Sequence, residues 1–255
     1  MGALDLSKFL GLRGDAEADI EGAARVGQRI YWITSHARNS RGKADASRHR
    51  FFATELLPGQ PPSLRPLGVP YTRLLHDLAA SDALKPLRLA DASRLTAEAE
   101  GGFNIEGLAA THEGKLLIGL RNPLPQRRAL VVPLENPAEL IEGKTARFGL
   151  PIELDLDQRG IRSLELVGAS YLIVAGPTAD RGSFALYRWS GRRGEQALHL
   201  AAVDLRDLRP EAMFSVPHTG QVQLLSDDGG VTTEGIECKK LAATLQSFRS
   251  LSVTP

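Results

Sequence analysis

The triplet Ile-Glu-Gly stands at Ile20-Glu21-Gly22 and at Ile105-Glu106-Gly107. Each copy opens an alternating apolar run, a glycine turn, a second run and a polar burst. The first burst holds His36, Arg38 and Asn39; the second holds Arg121 and Asn122. Two more degenerate copies bring Arg162 with Glu165, and Glu211. Carboxylates gathered on one rim raise each other's pKa unless a cation, an arginine or a retained proton intervenes. All-oxygen donors suit a hard divalent cation, Ca²⁺ before others. A water held by such an ion would serve hydrolysis, and arginines would hold an anionic substrate. The candidate metal ligands are therefore Glu21, Glu106, Glu165 and Glu211. The candidate ligand-binding residues are His36, Arg38, Asn39, Arg121, Asn122 and Arg162. No catalytic residue is assigned.

Each of these residues also has a structural reading. Glu21 and Glu106 would accept backbone N–H groups from the next blade, because a repeat protein solves the same packing problem in every unit. Arg121 and Arg162 would form ion pairs within the fold. His36 reads as a loop hydrogen-bonder, and Asp227-Asp228-Gly229-Gly230 reads as a turn.

The elements that must position these side chains follow from the repeat. Residues 19–35, 104–120, 161–176 and 210–228 each read as strand, turn, strand, with Gly27, Gly114, Gly168 and Gly220 in the turns. Third strands follow at 48–56, 129–134, 184–189 and, in the fourth copy, 236–241; fourth strands follow at 146–154 and 197–205. Four antiparallel strands at a period of roughly 40–50 residues describe propeller blades. The expected fold is an all-β propeller, one domain over 1–255, with four four-stranded blades or five if one is composite. Residues 71–87 carry helical apolar spacing at Leu74, Leu75, Leu78 and Leu84 and predict a short surface helix. In a propeller the starts of the inner strands and the loops after the second strands share one face, so Asp180 and Arg181 of the third loop join the candidates above.

Composition limits the partners. The 31 basic and 30 acidic side chains nearly cancel, which argues against nucleic acid or an anionic membrane surface. A lone cysteine, Cys238, excludes an internal disulfide and a cysteine zinc site and fits a cytoplasmic protein. No apolar run is long enough to span a membrane. Walker A, dinucleotide-binding, HExxH and nucleophile-elbow patterns are all missing.

The phrases ADIEGAARVGQRIYWITSHARN, FNIEGLAA with LLIGLRNPL, RGIRSLELVGASYLIVAGP and LLSDDG together resemble the bacterial family catalogued as domain of unknown function 3616. The resemblance implies a β-propeller-like fold and no established activity. It also implies an additional amino-terminal blade before LDLSKFLG, where this chain begins. Leu4-Asp5-Leu6 is then expected as the outer strand of a blade completed by residues 246–255, with dimerisation through open edges as the alternative to closure. A distant similarity to esterase-like phytase propellers is one of fold only. Two functions are carried forward. One is a small-molecule site on the top face, cation-dependent, hydrolysing a phosphoester or lactone. The other is a non-catalytic scaffold for a protein or peptide. The top-face loops are poor in apolar residues, which favours the small molecule.

Overall fold

The computed structural model describes residues 4–14, 16–179 and 181–255. Asp180 lies outside the described residues. Four antiparallel sheets form the blades. Blade one is β1 (Ile20–Val26), β2 (Arg29–Thr34), β3 (Phe51–Leu57) and β4 (Ser63–Tyr71). Blade two is β5 (Asn104–Ala110), β6 (Leu116–Asn122), β7 (Ala129–Leu134) and β8 (Ile152–Leu154). Blade three is β9 (Gly160–Val167), β10 (Ser170–Gly176), β11 (Ala185–Trp189) and β12 (Leu198–His199). Blade four begins with β13 (Pro210–Ser215) and β14 (Val222–Ser226). The hairpin of β15 (Thr232–Thr233) and β16 (Ile236–Glu237) intervenes before its third strand, β17 (Ser250–Val253).

The four-bladed propeller is thus the fold expected, with two corrections in the last blade. It has three strands, and its third is β17; residues 236–241 instead supply β16 and a 3-10 turn at Cys238–Lys240. The apolar pattern of β17 decides this, because Leu251 and Val253 can join the core against blade three. Among the described residues no composite fifth blade forms. Leu4-Asp5-Leu6 is not a strand. It leads into a short helix, α1 (Ser7–Leu10), and Leu6, Phe9 and Leu10 cover Phe52 and Trp32 on the outer face of blade one. The carboxylate of Asp5 accepts the Ser7 N–H at 2.8 Å just before the helix.

Period-two patterning explains why blade two is buried throughout. Leu116, Ile118 and Leu120 of β6 face a core shared with Tyr31, Ile33 and Phe51 of blade one. Their neighbour Leu117 faces the opposite way, into a core with Ile161, Leu164, Ile173 and Trp189 of blade three. A third core packs Leu172, Val174 and Leu186 against Met213, Val222 and Leu224. The hairpin glycines Gly27, Gly114, Gly168 and Gly220 all have positive φ, as such turns require.

The segment predicted as a surface helix is helical but not superficial. It comprises α2 (Leu74–Ala80), a 3-10 stretch at Asp82–Leu87 and α3 (Leu89–Ala92). Leu74, Leu78, Leu84 and Leu89 are buried in the core between blades one and two. Spacing alone finds an amphipathic helix; it does not say whether its apolar side meets a groove already half built.

Each inner strand carries a β-bulge at one equivalent place. Pairing skips between Ile20 and Gly22, between Ile105 and Gly107, between Ile161 and Ser163, and between Pro210 and Ala212. The residues left out of the ladder are Glu21, Glu106, Arg162 and Glu211. A bulge frees one residue from pairing and re-aims its side chain. The glycine after it has its own reason. A Cβ on Gly22 would lie 2.9 Å from Leu108 Cβ, and one on Gly107 3.0 Å from Ile161 Cγ2. The repeated Glu-Gly therefore joins two requirements: a re-aimed acid, and close approach of the next inner strand. Inner strands pack in series, β1 on β5, β5 on β9 and β9 on β13; among the described residues no comparable packing joins β13 back to β1.

Candidate functional site

The bulges deliver Glu21, Glu106, Arg162 and Glu211 to one cavity of about 540 Å³ at the channel mouth, with Asp19, Asn104, Arg38, Asn39, Arg48 and Arg121 also in its wall. Glu106 is the hub. Its Oε1 accepts from Asn104 Nδ2 at 2.8 Å and from Arg121 Nη1 at 3.0 Å. Its Oε2 lies 2.8 Å from Arg162 Nε. That pairing is a Coulombic contact rather than an aligned hydrogen bond, since Arg162 Nε is without a well-aligned acceptor. Arg162 also pairs with Glu211, and its guanidinium lies 5.6 Å from the Phe184 ring centre. Arg121 spends its remaining donors on the carbonyls of Pro177 and Ala179, at 3.1 and 3.0 Å. Glu106 therefore does lock blade to blade, through arginine side chains rather than the backbone N–H groups expected.

Glu21 is different. No hydrogen bond or ion pair reaches its carboxyl group among the described residues. Burial, then the charges of Glu106, Asp19 and Glu211, push its pKa up to about 9, with Arg162 opposing. Its neighbour Asp19 is held by Arg48 Nη1 at 2.6 Å. Burial also raises Glu106 above the ordinary glutamate value, against the pull of Arg162 and then Arg121. The Asn104 amide oxygen is buried and without a hydrogen-bond partner. The rim thus combines a saturated Glu–Arg network with one carboxyl that keeps its proton at neutral pH.

Several expected members stand elsewhere. Glu165 does not line the cavity; it lies three residues beyond the bulge and accepts from Ser215 Oγ at 3.4 Å. Blade three places Arg162 at the equivalent position. The counterpart of Ile-Glu-Gly is fixed by register, at Ile161-Arg162-Ser163, and not by residue type at Glu165. His36 is buried at 1% exposure, takes positive φ, and stacks on His49 with ring centres 5.5 Å apart. Its Nδ1 is 2.8 Å from the Thr34 carbonyl, and burial lowers its pKa to about 3. It is a neutral loop residue away from the cavity. Asn122 gives its amide to the carbonyls of Ala97 and Ala99, holding the 96–102 loop rather than a ligand. Arg38 and Asn39 reach the cavity wall, but Arg38 donates to Ser93 and Gly42 carbonyls, and Asn39 accepts from Arg41 and Lys43 N–H groups. The four-glutamate metal ring is accordingly not formed: among the described residues no three of His, Cys, Asp and Glu stand together as a ligand set.

Glu98 in this cavity wall, and Phe184 and Arg209 in the wall of a cavity beside it, are residues the sequence did not single out. Arg209 stands two positions before its bulge, where blades one and two carry Asp19 and Asn104, so aligning on the bulge would have found it. Glu98 lies in a loop outside the repeat, 3.6 Å from Arg121 Nη2, and has no such signal.

The fold and rim define a four-bladed propeller with a charged channel mouth. The chain belongs to the protein family of unknown function DUF3616, whose match covers residues 73–236. No curated protein matches the sequence. Among solved structures, a luciferin-regenerating enzyme is similar at 12% identity and a TM-score of 0.34, over 70% of this chain and 48% of that one. This chain therefore spans about half the length of that enzyme. No helix among the described residues is long and apolar enough to cross a membrane.

Proposed function

We propose that the channel mouth is a small-molecule site and that Glu21 is its working group. The observation that carries this is a carboxyl held up to about 9 in an open cavity, with carboxylates around it and no arginine of its own. Such a group acts in either of two ways. Neutral, it gives a proton to the leaving oxygen of a phosphoester or lactone. Ionised, it receives a cation, with Asp19 and Glu211 of the same cavity wall as further oxygen donors. Those donors are of the type Ca²⁺ prefers, although the ion would have to draw them together, since no ready set exists. A bound ion would polarise a substrate oxygen or hold the attacking water.

Calorimetric titration with Ca²⁺, Mg²⁺ and Mn²⁺ at pH 7 tests the cation reading. Repeating it in buffers of different ionisation enthalpy counts protons. Because Glu21 is protonated at that pH, a cation it ligates expels about one proton per ion, and Glu21→Gln abolishes both binding and release. Absence of binding by all three ions would remove the cation. Phosphoester and lactone turnover unaffected by Glu21→Gln would remove the proton-transfer role as well. The scaffold reading gains no specific support, since charged and polar residues make up most of the cavity wall.

A further inference from the structure

Between blades three and four a second cleft opens beside the channel mouth, with which it shares Glu98, Arg121, Arg162 and Glu211. It comprises two adjoining cavities of about 460 and 400 Å³, and Arg181, Phe184 and Arg209 line both. Arg206 and Arg249 complete the wall of the second. Besides Arg121 and Arg162, whose partners are given above, four guanidinium groups line the cleft, with Glu98, Glu211 and Asp227 as the carboxylates of its first cavity, and these four repel unless each has a counter-charge. Two of them do. Arg206 is paired with Asp204, and Arg249 holds Asp228 through Nε and Nη2 at 2.9 and 2.7 Å. Asp207, also in the wall, lies near these same two arginines and reinforces their charge. Arg181 and Arg209 have no hydrogen bond or ion pair from their side chains among the described residues. Nearby arginines show the contrast: Arg121, Arg159 and Arg162 are each bound to carboxylates or carbonyls.

The second unpaired arginine is presented from a fixed anchor. The Arg209 N–H donates to Ser226 Oγ at 3.0 Å, and its carbonyl accepts the Asp227 N–H at 2.8 Å. Ser226 Oγ in turn donates to the buried Asp228 at 2.8 Å. The Arg209 guanidinium then rests beside Gly230, whose missing side chain leaves the approach open; a Cβ there would lie 3.9 Å from Nη1. Phe184, with Arg162 over its ring, forms a flat apolar wall against which a small organic body can lie.

We propose that this cleft binds a small oxyanion-bearing molecule, a phosphate monoester or a polycarboxylate, with Arg181 and Arg209 as its two free guanidinium partners. A planar guanidinium meets either group in a bidentate fork, and the cleft admits a molecule larger than a bare ion. Glu21 lines neither of its two cavities, although Arg162 and Glu211 stand in the wall of both the first of them and the channel mouth.

The test titrates the full chain with inorganic phosphate and, separately, with citrate, by calorimetry and by melting temperature. Saturable binding that raises the melting temperature and weakens with added salt is expected. Arg181→Gln with Arg209→Gln together should weaken it at least tenfold, about 1.4 kcal/mol, while Glu21→Gln leaves it unchanged. Both arginines are exposed, so the double variant should melt as the wild type does without anion. Tighter binding of phosphate than citrate assigns a phosphate ester; the reverse order assigns a carboxylate. No saturable binding of either anion, or equal affinity in the double variant, overturns the proposal.

Discussion

Glu21→Gln should make the protein more stable at alkaline pH, and by an amount the structure sets. Below about pH 4.5 the Glu21 carboxyl is neutral both folded and unfolded, and its environment contributes nothing. Above that, the unfolded chain releases the proton while the folded protein keeps it until about pH 9. The folded state then binds one proton more than the unfolded state, so stability falls as pH rises, by about 1.4 kcal/mol per unit. Between pH 5 and pH 8 the accumulated loss is about 4 kcal/mol. Glutamine keeps the shape and the neutral charge, so the variant escapes this loss. Urea unfolding of both proteins at intervals across that range, in metal-free buffer, reads the difference. The two curves should meet near pH 5 and diverge steadily above it. A difference that stays within 1 kcal/mol from pH 5 to pH 8 would refute the assignment of a retained proton to Glu21.

His36 predicts the opposite limb. Its folded value is about 3 against an ordinary 6.5, so the unfolded chain takes the proton first and stability is lost as pH falls from 6.5 toward 3. His36→Asn tolerates the positive φ and should flatten that acid limb, as followed by urea midpoints between pH 4 and pH 7. Arg121→Ala strips Glu106 and two carbonyls of a buried partner and should cost about 3–5 kcal/mol by chemical denaturation. Arg121→Lys should recover little of that loss, because one ammonium cannot span three acceptors in different directions. Leu78→Ala should cost about 2–5 kcal/mol, the range for a core leucine, where a surface helix position would lose almost nothing.

The architecture was legible because it is written in period two and in glycine. Leu117 and Ile118 must part to opposite faces, and Gly27, Gly114, Gly168 and Gly220 mark the turns whatever the blade does next. The rim was legible where the motif kept its letters, at Glu21 and Glu106. It was misread in blade three, because the bulge holds a place in the ladder rather than a residue type, and Arg162 fills that place. The last blade was misread for a related reason. Ile236-Glu237 and Leu251-Ser252-Val253 are both short apolar segments, and only docking against Leu172 and Leu186 separates them. Glu98 could not be reached from sequence, since the 96–102 loop owes its position to the Asn122 amide rather than to any local pattern.

The four bulges have a consequence for how this surface can change. A residue paired in a ladder must suit its cross-strand neighbour, its own strand and the adjoining blade at once. A bulged residue is released from the first two and answers to the charges it meets on the rim. The charge of the channel mouth is therefore written at four positions, one per blade, here Glu, Glu, Arg and Glu, of which Arg162 pairs with both Glu106 and Glu211. A swap at one of them, such as Glu211→Arg, rewrites what the mouth attracts while leaving strand pairing and the three interblade cores in place. The fold behaves as a socket, and its specificity as a removable insert.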